Sequence, residues 1–165
     1  MGLEVRKNLL KQVNAASEDP AVDAIVITGS THSPFFSAGA DITEFKSGQL
    51  ESPSLHDLID AVEGIDKPTV AAFNGVALGG GLELALACKY RISAPKARVG
   101  LPEVHLGLIP GAGGTQRLPR ATQDLAFSLD MITSGRMVKA EDALKASLLD
   151  GISEPGENFE DYFKR

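Results

Sequence analysis

Apolar residues recur at helical intervals at the start of the chain. Leu3, Val5, Leu9, Leu10, Val13 and Ala16 share roughly one face, and Pro20 sets a stop just before it. Ala24-Ile25-Val26-Ile27-Thr28 is a continuous apolar run of strand length, closed by Gly29-Ser30. Residues 30–39 are rich in small and aromatic side chains and are expected as a loop. Ser54 is placed to cap a helix through about Glu63, with Leu55, Leu58, Ile59 and Val62 on one side. Lys67-Pro68 breaks the chain before a second short strand, Thr69-Val70-Ala71-Ala72-Phe73. Asn74-Gly75 marks a turn, and a glycine cluster then leads into a helix over 80–88. Tyr90-Arg91-Ile92-Ser93 and Ala97-Arg98-Val99-Gly100 read as short strands. Helices are expected over Thr115–Arg120 and about Ala121–Ile132, with Pro119 interrupting, and again over Lys139–Leu148. The alternation of strand and helix patterns makes the class α/β. A core over 1–152 and a polar, acidic, loosely held tail over 153–165 follow from it. The leading helix has no strand before it, so a strand–helix unit is expected to be incomplete at that end.

With 165 residues the chain has room for one domain with a real core. Its 43% hydrophobic and 23% charged content is that of an ordinary globular protein. A net charge of −6 without a basic run argues against tracking a nucleic-acid backbone. The one cysteine, Cys88, lies in the apolar run Leu84–Cys88 and is expected as a buried, inert thiol. No apolar run approaches the ~20 residues that span a bilayer. His32, His56 and His105 are too scattered for a ligand-spaced metal site, so no metal is expected.

The chemistry concentrates in Ala77-Leu78-Gly79-Gly80-Gly81-Leu82-Glu83-Leu84. Three glycines entering an apolar helix are costly by propensity, which favours a backbone role there. A helix N-terminus offers free N–H groups and partial positive charge to a developing oxyanion. Glu83 follows Gly80 by three positions and can share its helical face. A second carboxylate stands in Gly100-Leu101-Pro102-Glu103, and a second glycine cluster in Pro110-Gly111-Ala112-Gly113-Gly114-Thr115. Plainer readings stand beside these. Glu83 also fits a capping or surface carboxylate, Glu103 a solvated loop residue, and the glycines a turn or close packing. The second cluster invites a phosphate-loop reading but lacks the Lys-Ser/Thr of a Walker A motif.

Four segments, in order and spacing, resemble the enoyl-CoA hydratase/isomerase (crotonase) superfamily. They are Phe36-Ser37-Ala38-Gly39-Ala40-Asp41-Ile42, Asn74 to Leu84, Val99-Gly100-Leu101-Pro102-Glu103, and Leu106 to Arg117. The look is that of the hydratase portion of multifunctional fatty-acid β-oxidation enzymes, which also carry a 3-hydroxyacyl-CoA dehydrogenase. The resemblance covers about residues 3–151. It implies a crotonase-like (ClpP/crotonase) spiral of β-β-α units, here expected to be truncated at both ends. Thr43 departs from the lysine that classical hydratases often carry near the CoA.

The resemblance implies an activity as well: hydration of a trans-2-enoyl-CoA to a 3-hydroxyacyl-CoA, a hydro-lyase reaction. Glu83 and Glu103 would hold the water as the acid/base pair, and Gly111 N–H would help to position it. The N–H groups of Ala40 and Gly80 would form the oxyanion hole. Ala38, Asp41 and Ile42 would contact the CoA. No cofactor is implied, coenzyme A being part of the substrate. The alternatives are a Δ3-Δ2-enoyl-CoA isomerase, which can use one glutamate, and a truncated, non-catalytic acyl-CoA-binding module. A homo-oligomer, or fusion to or partnership with the dehydrogenase, is implied for the complete protein. A cytoplasmic setting is the default without a targeting segment, with the peroxisome as the alternative.

Overall fold

The computed structural model describes residues 1–30, 32–41, 44 and 52–163. Helix α1 (Leu3–Glu18) is followed by β1 (Ile25–Thr28), β2 (Phe35–Ser37) and α2 (Leu55–Glu63). A second unit has β3 (Thr69–Phe73), β4 (Val76–Leu78) and α3 (Gly80–Ala87). A third has β5 (Tyr90–Ser93), β6 (Arg98–Gly100), a short 3₁₀ helix at Pro102–Leu106, and helices α4 (Gly114–Thr122) and α5 (Leu125–Ser134). Strand β7 (Val138–Lys139), α6 (Ala140–Lys145), β8 (Gly151–Ile152) and α7 (Phe159–Phe163) complete the order.

Each β-β-α unit deposits one strand in each of two sheets. The sheets accordingly run β1-β3-β5-β8 and β2-β4-β6-β7. Pairing is parallel throughout the first, as in Ile25↔Thr69 and Val70↔Tyr90. It is parallel in the second except where β7 returns antiparallel to β6. Parallel neighbours need a crossover, and α2 and α3 supply it. This is the spiral of β-β-α units that the family resemblance implies.

Helix α2 starts where the sequence places it. Ser54 Oγ accepts from Asp57 N–H at 3.1 Å while Asp57 Oδ2 accepts from Ser54 N–H at 2.7 Å, a reciprocal capping box. Its Leu58, Ile59 and Val62 are buried against α1 and α3. Central strand β3 is buried on both faces, which explains its unbroken apolar sequence. Edge strand β1 instead alternates buried and exposed positions. The core gathers Leu58, Ile59, Phe73, Leu82, Leu118 and Met131, all essentially inaccessible. Each such side chain contributes roughly 1.5–3 kcal/mol on leaving water.

Several boundaries differ from the sequence expectation. The loop expected over 30–39 contains β2, which is a strand because Phe35 and Ser37 pair with Val76 and Ala77 of β4. Pro119 lies inside α4 instead of interrupting it. The break falls at Gln123, whose φ of 53° is left-handed, and Asp124 then caps α5 by accepting from Phe127 N–H. The helix expected over 139–148 is the shorter α6, flanked by β7 and β8. In the tail, Ser153 N–H reaches Ser93 O at 2.9 Å, and α7 brings the Tyr162 hydroxyl against Gly151.

Gly81 is the tightest junction between a helix and a sheet near the site. A Cβ there would lie 2.5 Å from Ser37 Cβ and 2.9 Å from Ser37 O on β2. Gly81→Ala is therefore expected to destabilise the fold by about 1–3 kcal/mol, as overpacking does. A chemical-denaturation midpoint measures this, and an unchanged midpoint would show that β2 and α3 are not held so closely.

Candidate active site

Apart from Glu83, helix α3 carries no polar side chain, and all 8 of its residues are buried, Glu83 at 2% exposure. A buried carboxylate is costly unless hydrogen-bonded. Here Glu83 Oε1 accepts two backbone bonds, from Ala112 N–H at 2.8 Å and Gly114 N–H at 2.8 Å. Both donors come from the second glycine cluster. Gly113, at φ 94°, turns the chain so that neighbouring N–H groups point inward at the start of α4. Bonds of this kind to a charged acceptor contribute about 1.5–3 kcal/mol each.

Glu103 approaches from the other side on the 3₁₀ helix, directly after Pro102. Its Oε2 is buried without a hydrogen-bond partner among the described residues. Burial raises the Glu103 pKa above the ordinary 4.5, partly offset by its own backbone N–H, and the charge of Glu83 raises it further. The two carboxylates thus sense one another, as a coupled pair does.

Gly79 lets these parts meet. Its backbone has φ 51° and ψ −129°, and its N–H donates to Gly100 O at 2.9 Å. A Cβ at Gly79 would lie 3.1 Å from Glu103 Oε1 and 3.9 Å from Gly39 Cα. The chain at Gly39, at φ 100°, brings Ala40 beside Gly80. A Cβ on Gly80 would stand 3.4 Å from the Ala40 nitrogen. Gly80 opens α3, so its N–H has no partner within the helix. Gly80 at the helix N-terminus, with the Ala40 nitrogen beside it and both carboxylates lining the same cavity, is an arrangement that can stabilise an oxyanion while protons move next to it.

A cavity of about 420 Å³ joins these groups. Ala38, Ala40, Asp41, Gly80, Glu83, Glu103 and Gly111, all singled out in the sequence, line it together. Ile42 and Thr43 lie outside the described residues. The cavity wall also includes Leu55, Leu106, Leu108 and Ile109, an apolar lining whose role no sequence motif marks. His56 and Arg6 reach it too. Arg6 is buried, bonds Pro53 O at 2.8 Å and pairs with Glu44 at 2.7 Å. The donors Ala112 and Gly114 were likewise unassigned, and their only sequence signal was the glycine cluster itself.

Cys88 is buried and its thiol is pushed up to about 12 by burial, so it stays protonated at neutral pH. His32 is exposed, and His105 bonds Ser134 O at 3.0 Å away from the carboxylates. Among the described residues no group of three or more His, Cys, Asp or Glu side chains is placed to hold a metal ion. Nor is any described helix long and apolar enough to cross a membrane.

The raised pKa of Glu103 has a stability consequence. Between the ordinary value of 4.5 and the raised native value, the folded protein binds more protons at this site than the unfolded chain. Stability at this site therefore falls as pH rises through that window. Glu103→Gln removes the penalty. Its thermal midpoint is expected to exceed that of the wild type at pH 7, with the gap closing towards pH 4. A gap that does not change with pH would contradict the raised value.

Comparison with known proteins extends these observations. The family model for enoyl-CoA hydratase/isomerase matches residues 1–163. The chain is 52% identical over 150 residues to the peroxisomal bifunctional enzyme of Danio rerio, covering 91% of this chain and 20% of that protein. It is 44% identical over 151 residues to a probable enoyl-CoA hydratase of Bacillus subtilis (strain 168), covering 88% of this chain and 57% of that protein. Its fold matches a crystal structure of enoyl-CoA hydratase from Bacillus anthracis with a TM-score of 0.88 at 34% identity. That match covers 99% of this chain and 64% of the other. The chain thus spans about a fifth of the bifunctional relative and under two thirds of the two hydratases.

Proposed function

We propose, starting from the fact that this chain belongs to the enoyl-CoA hydratase/isomerase family, that its cavity hydrates trans-2-enoyl-CoA thioesters to 3-hydroxyacyl-CoA in fatty-acid β-oxidation. The observation that carries this reading is the meeting of two carboxylates, Glu83 and Glu103, in one cavity with the adjacent N–H groups of Ala40 and Gly80. An isomerase needs one proton carrier; adding water calls for one group to take a proton and another to give one.

In the proposed reaction the thioester oxygen sits between the Ala40 and Gly80 N–H groups. Water attacks C3, and the C2=C3 electron pair moves towards the carbonyl, placing negative charge on that oxygen. Glu83 takes the proton from the water. Its Oε1 is committed to Ala112 and Gly114, and no hydrogen bond engages its Oε2 among the described residues. Glu103, whose surroundings favour the protonated form, delivers a proton to C2. Gly111 N–H would hold the water from the cavity wall, and Ala38 and Asp41, with Ile42, would face the CoA. The apolar residues Leu106, Leu108 and Ile109 are suited to an acyl chain. No cofactor enters this reaction, because coenzyme A is part of the substrate.

The Danio rerio relative is named as bifunctional, and an Arabidopsis thaliana relative, 45% identical over 165 residues, as a peroxisomal fatty acid beta-oxidation multifunctional protein. Those names support a second activity on the same complete protein, for which the family resemblance implies a 3-hydroxyacyl-CoA dehydrogenase. They also favour the peroxisomal alternative over a cytoplasmic setting. Homo-oligomerisation remains part of the proposal and is read out by sedimentation.

Product analysis tests the reading. Incubation of trans-2-butenoyl-CoA with the protein in ¹⁸O-labelled water is expected to give 3-hydroxybutyryl-CoA labelled at C3. Conversion of a trans-3-enoyl-CoA to its trans-2 isomer without hydration would favour the isomerase. Saturable binding of either thioester with no product would favour the non-catalytic module.

A further inference from the structure

Arg117 occupies the first turn of α4, where a cation opposes the helix dipole. Its placement is therefore not explained by helix stability. Its side chain is half-buried, and its guanidinium reaches three ways. Nε and Nη2 donate to Glu63 Oε1 and Oε2 at 3.1 and 2.6 Å, a two-point fork onto the end of α2. Nη2 also lies 3.6 Å from Asp60 Oδ1. Nη1 turns back and donates to Ala112 O at 3.0 Å.

The return path depends on Gly113. A Cβ there would fall 2.0 Å from Arg117 Nη1, so the side chain lies directly over the glycine. Ala112 thus has its carbonyl held by Arg117 and its N–H held by Glu83. The Arg117 backbone N–H closes the same loop onto Gly113 O at 2.8 Å. The hydrogen bond from Arg117 keeps the Glu63 carboxyl below its ordinary 4.5.

We propose that Arg117 is a positioning residue that clamps the 110–114 loop to α2 and so holds the N–H groups of Ala112 and Gly114 on Glu83. It touches no reacting atom. A typical exposed ion pair contributes little to stability, so a surface role alone would leave the loop unchanged when the arginine is replaced. The clamp instead requires the Ala112 amide to loosen. As a role in catalysis the proposal rests on the hydratase reading, but the loosening does not.

Amide hydrogen exchange and steady-state hydration of trans-2-butenoyl-CoA, measured on wild type, Arg117→Met and Arg117→Lys, test it. Arg117→Met is expected to speed exchange at Ala112 and Gly114 while β3 amides keep wild-type protection. It is also expected to lower kcat by about 10- to 100-fold, the scale of a small misplacement of a reacting group, with KM changed less than about twofold. Arg117→Lys keeps the charge but has no planar fork. It is expected to fall between, with a wild-type thermal midpoint, and it decides the matter if the methionine variant fails to fold. Lys7→Met, which removes an exposed pair with Glu4, serves as the control with unchanged exchange and kcat. Wild-type protection at Ala112 in the arginine variants would overturn the clamp. Faster exchange with unchanged kcat would overturn its role in catalysis. A wild-type protein that hydrates nothing but shows the exchange effect would refute the hydratase reading and leave the clamp standing.

Discussion

Glu83→Gln is expected to slow enoyl-CoA hydration by about 10²- to 10⁴-fold, the usual contribution of a positioned acid or base. Glutamine matches glutamate in size, and its carbonyl can still accept the N–H groups of Ala112 and Gly114. Its amide nitrogen, however, cannot take a proton from water. The loss should therefore fall on kcat while the thermal midpoint stays near that of the wild type. Steady-state kinetics with a melting curve on the same preparation separate the two. A variant that keeps wild-type kcat would remove Glu83 from the chemistry and leave it a buried structural carboxylate.

Gly114→Ala is expected to lower activity too, less severely and by an indirect route. A Cβ at this position would lie 2.9 Å from Glu83 Oε1, 3.0 Å from Glu83 Cγ and 3.1 Å from Pro110 Cβ. Glu83 is enclosed by a fully buried helix and Pro110 is a rigid ring, so neither neighbour yields easily. The carboxylate must shift, and the two hydrogen bonds at Oε1 must lengthen. A loss in kcat of about 10- to 100-fold follows from such a misplacement, with about 1–3 kcal/mol of overpacking strain. Gly156→Ala provides the contrast. Its φ of 88° makes alanine strained, but nothing lies within 4 Å of the added methyl group. It should cost stability without touching kcat. Equal kcat losses in the two variants would mean that general destabilisation, not contact with Glu83, lowers the activity.

The sequence showed the parts of this site that side-chain chemistry announces. Glu83 and Glu103 could be read from their motifs, and the glycine runs beside them marked the backbone as important. Strand β3 was legible because both faces are buried and its residues are uniformly apolar. Strand β2 was not, because Phe35–Ser37 becomes a strand only by pairing with a segment about forty residues on. Pro119 misled for a related reason: its ring removes one N–H of α4, while the side chains of Leu118 and Thr122 are buried on either side of it and hold the helix together. The bonds from Ala112 and Gly114 to Glu83 left no side-chain signal at all. Arg117 carries no signal of its own beyond ending a motif segment, and it meets Glu63 and Ala112 only through the fold. Backbone donors and long-range clamps depend on the path of the chain, and local periodicity does not encode that path.

The most direct test of the paired carboxylates is turnover of crotonyl-CoA, followed as loss of enoyl-thioester absorbance, by the wild type and Glu103→Gln side by side. Paired acid/base chemistry predicts steady loss of absorbance in the wild type and loss of that activity by about 10²- to 10⁴-fold in the variant. Equal rates for the two proteins would contradict it.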